Sequence, residues 1–290
     1  MSKDRQVKAL LHAELINMGG LFVRQAFPTQ KIENVDPFLL LHHGEMKVSE
    51  HMDPKHAGVG PHPHRGFSPV TFIFKGGVHH RDSRGNDSVI YSGGVQWMNA
   101  GMGVMHSERP PLNIQELGGA TEIIQMWVNT PATHKMDLPK YIPLTAEEIP
   151  TFTSEDGKIS VHISAGELLG VKGPIAHLSA VNAATLEMQP GGKISIPVPV
   201  SHNTFLYLLD GQITLGGYGL VEGKHAVVFS SEGDDINIEV LKPTRALLMS
   251  GEPLNEKVVA HGPFVMNSET QILEAMRDYQ MGKMGLLIED

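Results

Sequence analysis

Val70-Thr71-Phe72-Ile73-Phe74-Lys75-Gly76-Gly77 places β-branched and aromatic residues in consecutive positions and then stops on two glycines. Such a run reads as a strand entering a tight turn. About 135 residues later the pattern returns: Thr204-Phe205-Leu206-Tyr207-Leu208-Leu209 leads into Asp210-Gly211, and Gln212-Ile213-Thr214-Leu215 leaves it. Each run is followed by a second glycine turn, Ser92-Gly93-Gly94 in the first half and Glu222-Gly223 in the second. A period this long signals a duplication rather than a solenoid. The expected fold is therefore all-β, with two related β-barrels over residues 1–140 and 141–290. Between them, Asn129 to Asp156 contains Pro131, Pro139, Pro143 and Pro150 and reads as a linker, with a short helix at Thr145-Ala146-Glu147-Glu148. One longer helix is expected near the C-terminus. There Ser268-Glu269-Thr270-Gln271 resembles a capping box, and Ile272, Leu273, Met276 and Tyr279 follow at helical spacing.

Two runs flank the first strand. Pro61-His62-Pro63-His64-Arg65-Gly66-Phe67 precedes it, and Gly103-Val104-Met105-His106-Ser107-Glu108 follows it. Each holds two potential metal ligands at i and i+2. On a strand that spacing sets both side chains on one face, roughly 6.5–7 Å apart, so two facing strands can converge four ligands on one ion. The candidate set is His62, His64, His106 and Glu108, and the chain contains no cysteine to supply a thiolate. The competing arrangement is hydrogen-bonded histidines at a barrel mouth with an unrelated surface glutamate.

The remaining histidines read differently. Members of the adjacent pairs His42-His43 and His79-His80 face opposite ways on a strand and cannot jointly hold one ion. His51 and His56 precede the first ligand run in a polar loop, where solvent exposure competes with a place at the entrance. His202 and His225 fall in the second barrel, which has no His-x-His or His-x-Glu and is expected to hold no metal. Gln96, Trp97, Met98, Met102 and Met105 flank the second ligand pair; packing against a barrel wall competes with lining an apolar pocket. Arg65 points away from the face of His64 on a regular strand and is expected to hold a carboxylate or a loop.

Composition narrows the function classes. The chain has 290 residues, of which 41% are hydrophobic and 19% charged, so it has material for a core and no signature of disorder. Its formal net charge of −9 argues against direct nucleic-acid binding, which draws on clustered lysine and arginine. The apolar patch from Val7 to Leu11 is too brief for a signal peptide, and no segment approaches a membrane span. Absence of cysteine is compatible with a reducing cytosol, and a cytoplasmic location is expected.

The sequence resembles the pirin family. The resemblance rests on Asp36-Pro37-Phe38-Leu39-Leu40-Leu41, the Pro61 to Phe67 run, Val95-Gln96-Trp97-Met98-Asn99-Ala100-Gly101 leading into His106-Ser107-Glu108, and Gly262-Pro263-Phe264-Val265-Met266-Asn267. It implies a monomeric bicupin, two double-stranded β-helix domains. The first would hold one iron, Fe(II), through His62, His64, His106 and Glu108, and the second would lack ligands. Manganese, cobalt, nickel, copper and zinc suit the same donors, and supply selects among them. The chain departs from the family pattern at Ser68-Pro69, where Glu-Thr is usual, which removes a carboxylate beside the first ligand pair. A second departure is His42-His43-Gly44-Glu45, where acidic residues are common.

Pirin-like proteins are similar to quercetinases, which open the central ring of a flavonol with O2 and release carbon monoxide. The resemblance thus implies a quercetin 2,3-dioxygenase-type activity, with Glu108 alternating between ligand and general base for the flavonol hydroxyl. It equally implies a non-enzymatic regulator that binds a protein partner according to the oxidation state of its iron. A cupin isomerase or hydrolase using Zn²⁺ or Mn²⁺ as a Lewis acid is the weaker third reading, since no sugar-phosphate cluster is evident.

Overall fold

The computed structural model describes residues 3–50 and 57–289, and strands dominate it as the all-β expectation requires. Two units are distinguished: Met1–Leu40 with Glu148–Leu254, and Leu41–Glu147 with Asn255–Asp290. A single division at 140/141 does not describe them, because the chain termini are exchanged. Strand Val7–His12 pairs with His225–Phe229, while the C-terminal helix Glu269–Gln280 belongs with residues 41–147.

Each unit is built from two β-sheets in the double-sheet jelly-roll manner. In the unit holding residues 148–254, the larger sheet runs Val7–His12, His225–Phe229, Asn203–Leu208, Thr244–Gly251, Val181–Met188, Ile159–Ala165, Thr151–Thr153. The smaller runs Lys193–Pro197, Asp235–Lys242, Gln212–Leu215, Gly219–Glu222. Alternation along the strands fills the space between them. In Asp235–Lys242, Ile236, Ile238 and Val240 are buried while Asn237 and Glu239 are not. They meet Leu206, Leu208, Leu186 and Leu248 of the larger sheet. Each fully buried side chain of this kind stabilises the fold by about 1.5–3 kcal/mol.

The unit holding residues 41–147 repeats that plan. Its larger sheet includes, in order, Lys140–Leu144, Val95–Asn99, Phe67–Lys75, Gly119–Asn129 and Phe38–Val48; its smaller sheet runs Val59–His64, Val104–Arg109, Gly77–Asp82, Asp87–Tyr91. The duplicated glycine turns therefore do the same job in both units, and neither closes a hairpin. Phe67–Lys75 pairs within the larger sheet and Gly77–Asp82 within the smaller. Asn203–Leu208 and Gln212–Leu215 divide likewise. Each turn carries the chain from one sheet to the other. Gly211 makes its crossing at φ +84, where a Cβ would run into Thr244 Oγ1 and the Pro243 carbonyl.

The expected linker is more ordered than its prolines suggest. Lys140–Leu144 is an edge strand paired with Val95–Asn99, and Thr151–Thr153 pairs with Ile159–Ala165. An edge strand has one side that needs no ladder donor, so Pro143 is tolerated there. The short helix expected at Thr145 to Glu148 is a single 3-10 turn, Ala146–Glu148. At the C-terminus, Ser268 caps the helix by accepting from the Gln271 amide at 3.3 Å, and Gln271 Oε1 accepts from the Asn267 amide at 3.0 Å. The helix buries Ile272 and Ala275 against Met105, Phe264, Met266 and Met284, with Met276 half-buried beside them. Leu273 and Tyr279, expected on the inner face, are exposed because the pair at i and i+3 sets the packed stripe.

Candidate metal centre

The two ligand runs lie on neighbouring strands of the smaller sheet. Val59–His64 and Val104–Arg109 run antiparallel with His106 opposite His62 and Val104 opposite His64. Period-2 alternation then directs all three imidazoles into the barrel, and their ligand nitrogens all lie within 4.8 Å of one another. His64 and His106 are buried, and His62 is half-buried.

Hydrogen bonding fixes which nitrogens face the centre. His62 Nδ1 lies 2.8 Å from the Gly60 carbonyl and His64 Nδ1 lies 3.3 Å from the Pro263 carbonyl. A carbonyl only accepts, so each Nδ1 carries the proton and each Nε2 presents a lone pair. Those two Nε2 atoms face each other at 3.1 Å. Both nitrogens of His106 are buried with no partner among the described residues. Facing lone pairs and an unsatisfied buried imidazole are costly unless a cation lies among them. Burial, and then the neighbouring imidazole of His62, hold His64 well below the usual histidine range, against the opposing pull of the Pro263 carbonyl. Burial and the surrounding histidines do the same to His106. Neutral imidazole is the ligating form, so the donor set fits a divalent transition metal.

Glu108 stands apart from this cluster. The register against Val59–His64 shifts between His106 and Glu108, which pairs with Val59. The extra residue of that bulge lies in Val59–His64, while Val104–Arg109 keeps an unbroken register with Gly77–Asp82, so Glu108 stays on the inner face with His106. The carboxylate is held elsewhere: Thr71 Oγ1 donates to Oε1 at 2.6 Å and Gln125 Nε2 donates to Oε2 at 2.7 Å. Across the other strand, Glu108 lies opposite His80. The adjacent pair does split between faces: His79 reaches Asp87 at 2.7 Å near the surface, while His80 is buried. His80 stacks on Tyr141 with centroids 3.9 Å apart, lies 5.4 Å from the His106 ring, and its Nε2 is 3.2 Å from Asp82 Oδ2. Tyr141 bonds Ser88 at 2.7 Å, and burial pushes its phenol up from the ordinary value.

Pro69, Thr71, His80, Gln96, Met98, His106, Glu108 and Tyr141 line a cavity of about 10 Å³. That is the room of roughly one water or ion. Thr71, His80, Gln125 and Tyr141 escaped the sequence reading; only the inward member of His79-His80 left a signal there. On the other side of His64, Phe67 and Trp127 form an aromatic wall, with His64 edge-on to both. Trp97 and Met98 are core residues, and Met105 packs against the C-terminal helix.

The C-terminal segment braces the ligand loop. Arg65, as expected, serves structure: its guanidinium reaches Asp278 Oδ2 at 3.1 Å, and its Nε donates to the Met102 carbonyl at 2.6 Å. Gly66 at φ +85 passes so close to Val265 that a Cβ would meet its carbonyl. Buried Lys135 donates to the Gly66 and Val265 carbonyls at 2.6 and 3.1 Å; burial pulls its ammonium down to about 8, against the attraction of Glu256.

The other histidines are accounted for individually. His43 Nε2 lies 3.1 Å from Glu122 and 3.5 Å from Glu45, a second grouping of metal-capable side chains that the sequence reading did not assemble. His202 is buried against Ser250 at 3.2 Å, and His225 lies beside His12. No metal-capable group occurs in that unit among the described residues. His51 and His56 lie outside the described residues. Among the described residues no helix is long and apolar enough to cross a membrane.

Comparisons with known proteins agree with this architecture. The Pirin family matches residues 20–128, and the Pirin C-terminal cupin domain matches residues 183–285. A pirin-like protein of Solanum lycopersicum is 36% identical, with 98% of this chain and 94% of that protein covered. Pirin of Homo sapiens is 35% identical over 98% of this chain and 95% of its own length. Among solved structures, a quercetin 2,3-dioxygenase from Acinetobacter baumannii superposes with a TM-score of 0.92 at 33% identity, covering 99% of this chain and all of that one. A bacterial pirin from Escherichia coli in complex with nickel(II) shares the fold, with a TM-score of 0.65 at 17% identity over 84% of this chain and 99% of that one. With both domains matched in order and the barrels duplicated strand for strand, the chain belongs to the pirin family and carries two cupin domains.

Proposed function

We propose that this pirin is a metal-dependent dioxygenase of the quercetin 2,3-dioxygenase type, cleaving a flavonol with O2 at one mononuclear iron. The observation that carries the reading is the convergence of three neutral imidazoles, two with lone pairs facing at 3.1 Å and one with both nitrogens unsatisfied. The similarity to a quercetin 2,3-dioxygenase over nearly the whole chain supports the substrate class. His62, His64 and His106 are the metal ligands, and Glu108 is the fourth ligand and the base. A redox-active ion, when bound, supplies the electron path between flavonol and dioxygen. The chain's own part is to orient the ligands through Gly60 and Pro263, to wall the centre with Phe67 and Trp127, and to let Glu108 take the flavonol hydroxyl proton.

The ion-sized cavity beside Glu108 favours a second reading, a non-enzymatic, iron-containing regulator that binds a protein partner according to redox state. Such a protein needs room for its ion and none for a flavonol. Elemental analysis followed by oxygen uptake with quercetin separates the two. One equivalent of iron with uptake that disappears in His106→Ala supports the dioxygenase. Iron without uptake favours the regulator, and absence of any metal removes both.

A further inference from the structure

Thr71 and Gln125 are directly paired on adjacent strands of the larger sheet, Phe67–Lys75 and Gly119–Asn129. A cross-strand pair of this kind projects both side chains from one face at nearly the same height. Here the pair faces the smaller sheet and grips one carboxylate, each donor taking a different oxygen of Glu108. The Thr71 hydroxyl lies 2.6 Å from Glu108 Oε1 and 3.1 Å from Gln125 Oε1, so its single hydrogen goes to the nearer, charged acceptor. Thr71 is buried between Val70 and Phe72, where a hydroxyl is retained only with a partner. Regular alternation along Val104–Arg109, whose register with Gly77–Asp82 is unbroken, points Glu108 inward with His106 and within reach of this pair.

We infer that Thr71 and Gln125 form a cradle that competes with the metal for the Glu108 carboxylate, making Glu108 a detachable ligand beside three fixed histidines. The inference rests on the metal-centre reading above and assigns two positioning residues to it. Hydrogen bonds to a charged group are the strong ones, so the cradle opposes ligation by an amount that removing it would reveal. A carboxylate held off the ion yet within the same cavity is available to accept a proton or to return to the ion. Fixed four-residue ligation would leave no such freedom.

Cobalt(II) is the probe, with affinity read by chelator competition and coordination read from its visible absorption. Replacing both donors, Thr71→Val with Gln125→Leu, is expected to tighten cobalt binding by about tenfold or more and to change the absorption as the carboxylate joins the ion. Gln125→Leu alone should move affinity the same way by less, which covers a failure of the double variant to fold. Thr71→Ser, which keeps the hydroxyl, should match the parent protein. In a Glu108→Ala background the double replacement should change nothing, an outcome that a merely structural role does not produce. Unchanged or weaker binding with Glu108 present overturns the cradle while the metal centre stands. No cobalt binding by the parent protein overturns the metal centre and the cradle with it.

Discussion

The two barrels share a strand order and differ in what fills them. Val59–His64 and Val104–Arg109 in one correspond to Lys193–Pro197 and Asp235–Lys242 in the other, each pair being neighbours in the smaller sheet. Where one strand carries His62 and His64, its counterpart carries Ile194 and Ile196, and the strand of His106 has a counterpart with Ile236 and Ile238. The isoleucines join one hydrocarbon core. His106 leaves both of its buried nitrogens without a partner among the described residues. One barrel is thus optimised for its own stability, and the other holds polar groups whose cost is offset only when something binds. The pairing teaches that the scaffold tolerates a site because its geometry comes from backbone pairing, which both barrels have, and not from the interior residues that distinguish them.

The largest expected effect separates the barrels outright. His106→Ala should reduce bound metal from one equivalent to near zero by elemental analysis, while His202→Ala in the other barrel should leave metal content unchanged. Next, Leu206→Ala, which opens a cavity in the hydrocarbon barrel, should cost about 2–5 kcal/mol in denaturant unfolding. A third measurement inverts that sign. In metal-free protein, His106→Leu should be neutral or stabilising by about 1–2 kcal/mol, since it removes two unsatisfied buried nitrogens. A comparable loss in both substitutions would break the contrast.

A fourth effect follows from pH. Burial lowers His42 to about 4, so it stays neutral in the folded barrel while its unfolded counterpart titrates near the usual value of about 6.5. The unfolded state therefore binds more protons between those values. His42 destabilises nothing above pH ~6.5, and stability falls as pH drops from there towards 4, by up to about 3 kcal/mol. His42→Gln should flatten that part of the stability curve measured in urea. Smallest is the exposed pair Lys193–Glu239 on the hydrocarbon barrel, where Lys193→Ala should shift stability by less than about 0.5 kcal/mol.

Much of this contrast was legible in the amino-acid sequence, for local reasons. The strand and glycine-turn repeat is a short-range pattern, and so is the i, i+2 spacing that converges His62, His64 and His106. Glu108 obeyed the same spacing and went elsewhere. Its fate depends on donors 37 and 17 residues away, on strands of the other sheet, which a local period does not encode. Thr71 was hidden because threonine is also an ordinary strand former. Splitting His79-His80 between faces follows from alternation, but which member faces inward depends on the neighbouring strand. The exchange of the chain ends was equally invisible, since Val7–His12 is a generic strand whose partner lies more than two hundred residues downstream.

That exchange has a consequence for synthesis. His64 is held in its ligating tautomer by the Pro263 carbonyl, 199 residues further along the chain. A ribosome exposes the ligand strand of His64 first, and the group that orients it emerges 199 residues later. Until then the nascent barrel has its histidines without their full bracing, and the other barrel's edge strand waits for its partner. If these histidines hold a metal as proposed, its capture waits on synthesis of the chain through Pro263, so products truncated before that residue would be poor competitors for it.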